Sequence, residues 1–279
     1  MHQLNKTKFR EQLTPSRFLQ LSLENDNLDT EIKTELCDYY RNWNNLRSPR
    51  LAFWYDNQLN EMLEALEKCP GARILDAGCG TGSESLFLAL KGAHVTGIDV
   101  SPGKIKIANA RQEHLRDSAR VEFDLDFYQQ SILDVEGTYD LIWLEQAFHH
   151  MEPRARIVQQ LADLLAPGGR LFFSEANGWN PLLQVKLFKQ RGFDTIKRTK
   201  TSEGELIWGD ERILTPMSLK RCLKKAGLKL ESRRYFRIFP SGERFDTLLN
   251  MERALCDLPI AGVLAPLFSH YSFVAKKSE

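Results

Sequence analysis

The sequence predicts a doubly wound α/β fold: a mainly parallel seven-stranded sheet with an N-terminal helical cap. Three observations carry this. From residue 72 to 176, short β-type runs alternate with helix-type runs, and such alternation requires crossovers between parallel strands. Several strand runs are continuously apolar, which suits a sheet covered by helices on both faces. The first strand also runs directly into "AGCGTG", a turn with glycine at 78, 80 and 82.

Taken in order, residues 1–70 read as helices. "LDTEIKTELCDYYRNW" and "AFWYDNQLNEMLEALEKC" space their apolar residues at three and four, and Pro70-Gly71 stops the second. The strands "ARILDAG", "HVTGIDV", "VEFDLDFYQQ", "YDLIWLE" and "GRLFFSEA" follow, separated by the helices "SESLFLALKG", "PGKIKIANARQEHL" and "ARIVQQLADLL". Residues 177–214 are polar, basic and weakly periodic, longer than an ordinary connection, and are expected to form a lid. The helix "TPMSLKRCLKKAG", opened by Thr215-Pro216, and the strands "KLESRRYFRIF" and "SHYSFVAKK" complete the sheet. The expected division is a cap over 1–70 and an α/β domain over 71–279 with the lid inserted at about 177–214.

The composition, 42% hydrophobic and 27% charged over 279 residues, is that of a water-soluble globule. Five scattered cysteines show no CxxC pair and no histidines at ligand spacing, so reduced thiols and no metal site are expected. The N-terminus lacks the apolar core of a secretory signal. "LPIAGVLAPLF" at 258–268 is broken by Pro259 and Pro266 and is shorter than the ~20 residues of a membrane span. No transmembrane segment and a cytoplasmic location are expected. The net charge of +1 is uneven: residues 182–237 carry 15 Lys and Arg against 6 Asp and Glu, whereas 71–181 carry 10 against 15.

In open α/β sheets the ligand lies beyond the carboxyl ends of the strands. The glycine turn after the first strand is such a place, but it does not satisfy G-x-G-x-x-G, since Ser83 and Ser85 stand where the third glycine would. Asp76, two residues before the turn, would repel a pyrophosphate and attract an ammonium group. Asp99 closes the second strand, where a carboxylate can accept both hydroxyls of a ribose; its alternative role is to cap the helix at Ser101-Pro102. An amino group, a ribose diol and no phosphate describe S-adenosylmethionine (SAM) better than NAD.

With these residues in place, "ILDAGCGTG", "VTGIDVS", "YDLIWLEQAFHHM" and "LLAPGGRLFFSE" resemble, in order, the motifs of class I SAM-dependent methyltransferases, which have a Rossmann-like fold. The resemblance covers residues 70–176 closely and 215–276 loosely. It implies that Asp76, Gly78, Gly80 and Gly82 surround the methionine end of SAM, that Asp99 takes the ribose, and that Ser131 and Ile132 border the adenine. Ser131 stands where family members often carry an acid. Glu145, ending strand four, would face the methionine and the methyl group. The product would be S-adenosylhomocysteine.

A hydroxyl acceptor benefits from a general base. His149 and His150, just past strand four, are the candidates together with Glu145 and Glu175; the other role for the histidines is to order the next helix. Cys79 reads as a packing residue, since no Pro-Cys pattern or basic partner accompanies it. "LEQAF" replaces the (Asp/Asn/Ser)-Pro-Pro-aromatic motif expected of amino-methylases acting on DNA bases. The acceptor expected is thus a small or lipid-like molecule, anionic if basic clusters such as "KRTK" at 197–200 recruit it. Trp43, Trp54, Trp179 and Trp208 would help to cover it. An RNA methyltransferase and a catalytically silent SAM-binding adaptor are the alternatives.

Overall fold

The computed structural model describes residues 12–24, 28–40, 48–119, 122–201, 204–240 and 242–277. Two compact units divide the chain: Met1–Ser131 with Ser241–Thr247, and Ile132–Pro240 with Leu248–Glu279. The first holds α1 (Pro15–Leu23), α2 (Thr30–Tyr39), α3 (Pro49–Lys68), β1 (Arg73–Ala77), α4 (Ser83–Leu90), β2 (His94–Asp99), α5 (Pro102–Ala119) and β3 (Asp124–Gln129). The second holds β4 (Tyr139–Glu145), α6 (Arg154–Leu164), β5 (Leu165–Ala176), α7 (Pro181–Arg191), β6 (Ile196–Thr201), β7 (Gly204–Gly209), α8 (Pro216–Lys225), β8 (Leu228–Phe236), α9 (Leu249–Cys256) and β9 (His270–Lys277). The seven-stranded sheet has the order β3-β2-β1-β4-β5-β9-β8, and β6 pairs with β7 in a separate hairpin.

In the first unit, β1, β2 and β3 run parallel, with Ile74 opposite Val95 and Val95 opposite Leu125. These side chains are buried, as the apolar runs of the sequence require. Two of the preceding helices begin with a capping side chain and then proline: Thr14 accepts from the Arg17 amide ahead of Pro15, and Ser48 accepts from the Leu51 amide ahead of Pro49. Leu19, Ile32, Leu36, Tyr40 and Tyr55 of this helical segment pack in one cluster with Ile107 of α5. Trp54 is buried, and Trp43 lies outside the described residues.

In the second unit, β5 is parallel to β4, and β9 runs antiparallel between β5 and β8. Ile142, Trp143 and Leu144 are all buried, as are Phe172, Phe173 and Phe273. Residues 177–214 hold regular structure among the described residues. They form α7, capped by Asn180, and the β6–β7 hairpin with Ile196 opposite Gly209. Leu182, Val185 and Phe188 of α7 are exposed and Leu187 is its buried residue, so the helix has no apolar stripe facing a core to announce it. Between Pro240 and Ser269 the structure adds α9, whose fully buried Glu252 accepts the Ile238 and Phe239 amides at 2.8 Å each. No described helix is long and apolar enough to cross a membrane.

Gly82 shows what a side chain would cost in the glycine turn. Its φ is +78°, and a Cβ there would stand 2.5 Å from Cζ of Phe127. Gly92 has φ +96° but open space around it. Gly82→Ala should destabilise the fold by roughly 1–3 kcal/mol for the backbone conformation alone, plus the clash, whereas Gly92→Ala should show only the first contribution. Urea denaturation of the two variants measures the difference; equal midpoints would remove Phe127 from the account.

Candidate active site

The turn after β1 is built by alternate left-handed glycines, with φ of +82°, +56° and +78° at Gly78, Gly80 and Gly82. The amides of Gly78 and Cys79 donate to the Ile98 carbonyl at 2.8 and 2.9 Å, tying the turn to the end of β2. Asp99 completes the tie. One of its oxygens accepts from the Gly80 amide at 3.1 Å, the other from the Ser101 amide at 2.9 Å, and Lys104 Nζ stands 3.7 Å away. Asp99 is thus positioned both as a turn anchor and at the first turn of α5.

Asp76 is buried at the carboxyl end of β1 and accepts from Ser85 Oγ at 2.5 Å. Burial, aided by the charge of Glu84, pushes its carboxyl up to about 8. Glu84, also raised by burial, accepts from Tyr55 Oη at 2.5 Å. Burial likewise pushes the Cys79 thiol well above its usual range, which leaves it unreactive as a nucleophile. Ser131 is half-buried after β3, and the buried Ile132 opens a short helical turn, Ile132–Asp134.

In the second unit, β4 ends at Glu145, which lies opposite Ser174 of β5. Gln146 has φ +48°, its amide donates to the Ser174 carbonyl at 2.9 Å, and its side-chain Nε2 is buried without a partner. Phe148–His150 form a single helical turn, held by the ring of Phe148 against Phe173 at 5.4 Å. Glu175, at the end of β5, binds this turn twice: Oε1 accepts the Phe148 amide at 2.7 Å, and Oε2 lies 2.8 Å from Nδ1 of the buried His149. His150 Nδ1 lies 2.9 Å from the Gly209 carbonyl, and the two imidazole centres are 4.1 Å apart.

The segment just after the hairpin that supplies Gly209 carries Glu211, which sequence reasoning missed. Its Oε2 is 3.8 Å from His149 Nε2 and its Oε1 is 4.0 Å from His150 Nε2. Gly209 presses so close on the His149 carbonyl that a Cβ would overlap it. Met151 bridges to Trp208 in the same hairpin, and Arg212 pairs with Glu152. Burial lowers the pKa of both histidines. At His149 the charge and hydrogen bond of Glu175, with Glu211, outweigh it and leave the pKa above the ordinary value; at His150, burial and then the neighbouring His149 leave it below. The sequence places the two histidines correctly beside strand four, but no local spacing signals Glu211 or Gly209.

Residues 51–233 match the family described as methyltransferase domain. The chain belongs to the class I SAM-dependent methyltransferases. It is 33% identical over 183 residues, 66% of this chain and 68% of the relative, to a ubiquinone biosynthesis O-methyltransferase of Xylella fastidiosa strain 9a5c. The corresponding protein of strain M23 is 32% identical over 203 residues, 72% of this chain and 76% of that one. Among solved structures, the magnesium protoporphyrin IX methyltransferase of Synechocystis PCC 6803 with bound S-adenosylhomocysteine aligns over 98% of this chain and 100% of its own, with TM-score 0.54 and 17% identity. That likeness concerns the fold.

This methyltransferase is an enzyme, and SAM is its methyl donor. The residues around the glycine turn fit such a ligand, because a carboxylate held protonated by burial gains a partner when a cation approaches it. The raised pKa of Asp76 makes a prediction for the ligand-free methyltransferase. Folded Asp76 keeps a proton that the unfolded chain releases near pH 4, so stability is full below that pH and falls as pH rises toward about 8. Asp76→Asn should flatten this decline. Thermal melts from pH 5 to 9 measure it, and parallel curves for the two proteins would refute the assignment.

Proposed function

We propose that this methyltransferase acts on the hydroxyl group of a small ring-bearing or lipid-like molecule, with His149 taking the hydroxyl proton. The observation that carries the reading is the His149–Glu175 pair. Glu175 is a buried acceptor 2.8 Å from Nδ1, so the ring hydrogen sits there and the Nε2 lone pair is left to receive a proton. The relatives named as O-methyltransferases support oxygen as the accepting atom. SAM supplies a methyl group already activated on sulfonium, moved by in-line displacement. What remains for the chain is to align the acceptor, an effect worth up to ~7–11 kcal/mol, and to remove its proton.

In this reading Asp76 pairs with the SAM ammonium, the Gly78, Gly80 and Gly82 turn leaves room for the methionine end, Asp99 accepts the ribose hydroxyls, and Ser131 and Ile132 border the adenine. Glu145 and the unpartnered Nε2 of Gln146, at the end of β4, serve the reacting end. His150 orients the acceptor beside His149. Residues 177–214 act as the lid of the α/β domain, a role supported by the seating of Gly209 on the histidine turn. Exposed Leu182, Val185, Phe188 and Phe193 offer apolar surface to a lipid-like acceptor. We place the enzyme in the cytoplasm, in keeping with its five free cysteines.

The basic surplus supports a small molecule over a nucleic acid, because part of it is consumed internally. Arg212 pairs with Glu152 outside the segment, and Lys197 pairs with Asp210 at 2.7 Å and lies over the Trp208 ring. kcat/KM should therefore change little with salt. A log–log slope of several, at about 0.7–0.9 per phosphate contacted, would point instead to RNA.

The base is tested with a catechol-type acceptor and SAM. His149→Ala should lower kcat by about 10²- to 10⁴-fold with SAM affinity by calorimetry unchanged, and Glu175→Gln should lower it less. Wild-type turnover in His149→Ala would leave positioning alone as the source of catalysis.

A further inference from the structure

We infer that His149, His150 and Glu211 form a binding site for a divalent first-row transition-metal cation. One ligand atom from each lies within 4.8 Å of the others, in a cluster that draws on the turn after β4 and the segment after β7. The two histidines present the same atom: each has Nδ1 engaged, His149 with the Glu175 carboxylate at 2.8 Å and His150 with the Gly209 carbonyl at 2.9 Å. Both Nε2 lone pairs are thereby directed to one carboxylate, with Glu211 oxygens 3.8 and 4.0 Å from them. Anchoring the far nitrogen on a carboxylate or a backbone carbonyl is how metal-ligating histidines are oriented.

The donor set selects the class of ion. Two imidazoles and one carboxylate suit Zn²⁺, Co²⁺, Fe²⁺ or Mn²⁺, whereas Mg²⁺ and Ca²⁺ favour oxygen donors throughout. Bonds of about 2.0–2.2 Å need ligand atoms roughly 3–3.6 Å apart, so the cluster must contract. Its outer members can supply that movement, since the side chains of His150 and Glu211 are 45% and 42% exposed while His149 is buried. Glu211 also holds φ +48°, an unfavourable backbone conformation for a residue with a side chain. Three protein ligands with a solvent-facing side leave coordination positions open, as in catalytic rather than structural sites.

A cation here would use the Nε2 lone pair through which His149 alone would act as base. A hydroxyl bound to it would lose its proton to solvent more readily, because a bound cation lowers the pKa of its oxygen ligands. The inference does not depend on methyl transfer, since it is read from metal binding.

The test is titration of chelator-treated full-length protein with Co²⁺, followed by its visible absorption, and competition by Zn²⁺. Expected are one saturable equivalent, bands typical of nitrogen and oxygen ligands without the strong charge-transfer bands of thiolates, and displacement by Zn²⁺. Glu211→Gln and His150→Ala should each abolish the bands, and Glu175→Gln should weaken binding about 10- to 100-fold. SAM calorimetry on each variant shows that it is folded. No saturable Co²⁺ or Zn²⁺ binding to the wild-type protein, or undiminished binding in folded Glu211→Gln and His150→Ala, would overturn the site and leave the cluster an ion pair. Thiolate bands would assign the metal to cysteines and overturn it equally.

Discussion

Burying Asp76, Glu84 and Arg111 around one glycine turn is the constraint on which the first unit depends. Ionisable groups removed from water must be neutralised, paired or hydrogen-bonded, and the loss of one partner of a buried pair typically costs about 3–5 kcal/mol. The chain meets this demand with residues from distant elements. Arg111 of α5 donates to the Thr81 carbonyl at 2.6 Å and to Ser83 Oγ at 2.8 Å, Tyr40 Oη donates to Ser83 Oγ at 2.8 Å, and Tyr55 of α3 holds Glu84. The N-terminal helical segment is therefore joined to the wall of the glycine turn, through hydrogen bonds that an isolated cap would lack.

That arrangement explains what was legible in the sequence. The parallel strands were legible because burial on both faces writes itself as unbroken apolar runs, as in Ile142 to Leu144. Asp76, Asp99 and the histidine pair were legible because each sits within a few residues of a strand end, so finding the strand locates the side chain. Tyr40, Tyr55 and Arg111 were not. On a helix these residues read as exposed or amphipathic positions, and only the fold shows that they converge on one turn.

The same limit applies more strongly in the second unit. α7 buries little, β6 reads Ile-Lys-Arg-Thr-Lys-Thr, and the apolar run of β7 is only Leu206 to Trp208, so neither the helix nor the hairpin carries a long apolar periodicity. Glu211 is hidden for a further reason: its place beside the histidines is set by the length of the hairpin and by the close seating of Gly209, both tertiary facts. α9 conceals itself by burying a carboxylate, since Glu252 reads as a surface residue until its two amide partners are seen.

The hairpin shares no strand with the seven-stranded sheet, yet it brings the Gly209 carbonyl to His150, and the segment after it brings Glu211 to both imidazoles, while Glu175 of β5 holds His149 from the sheet. The setting of the histidine pair is therefore shared between the sheet, through Glu175, and a stretch of chain outside it, through Gly209 and Glu211. Insertions, deletions or exchange of residues 196–212 could retune the histidine pair from one lineage to another while the sheet stayed intact. A change confined to that outer stretch would alter one side of the imidazole pair and leave the Glu175 side as it is.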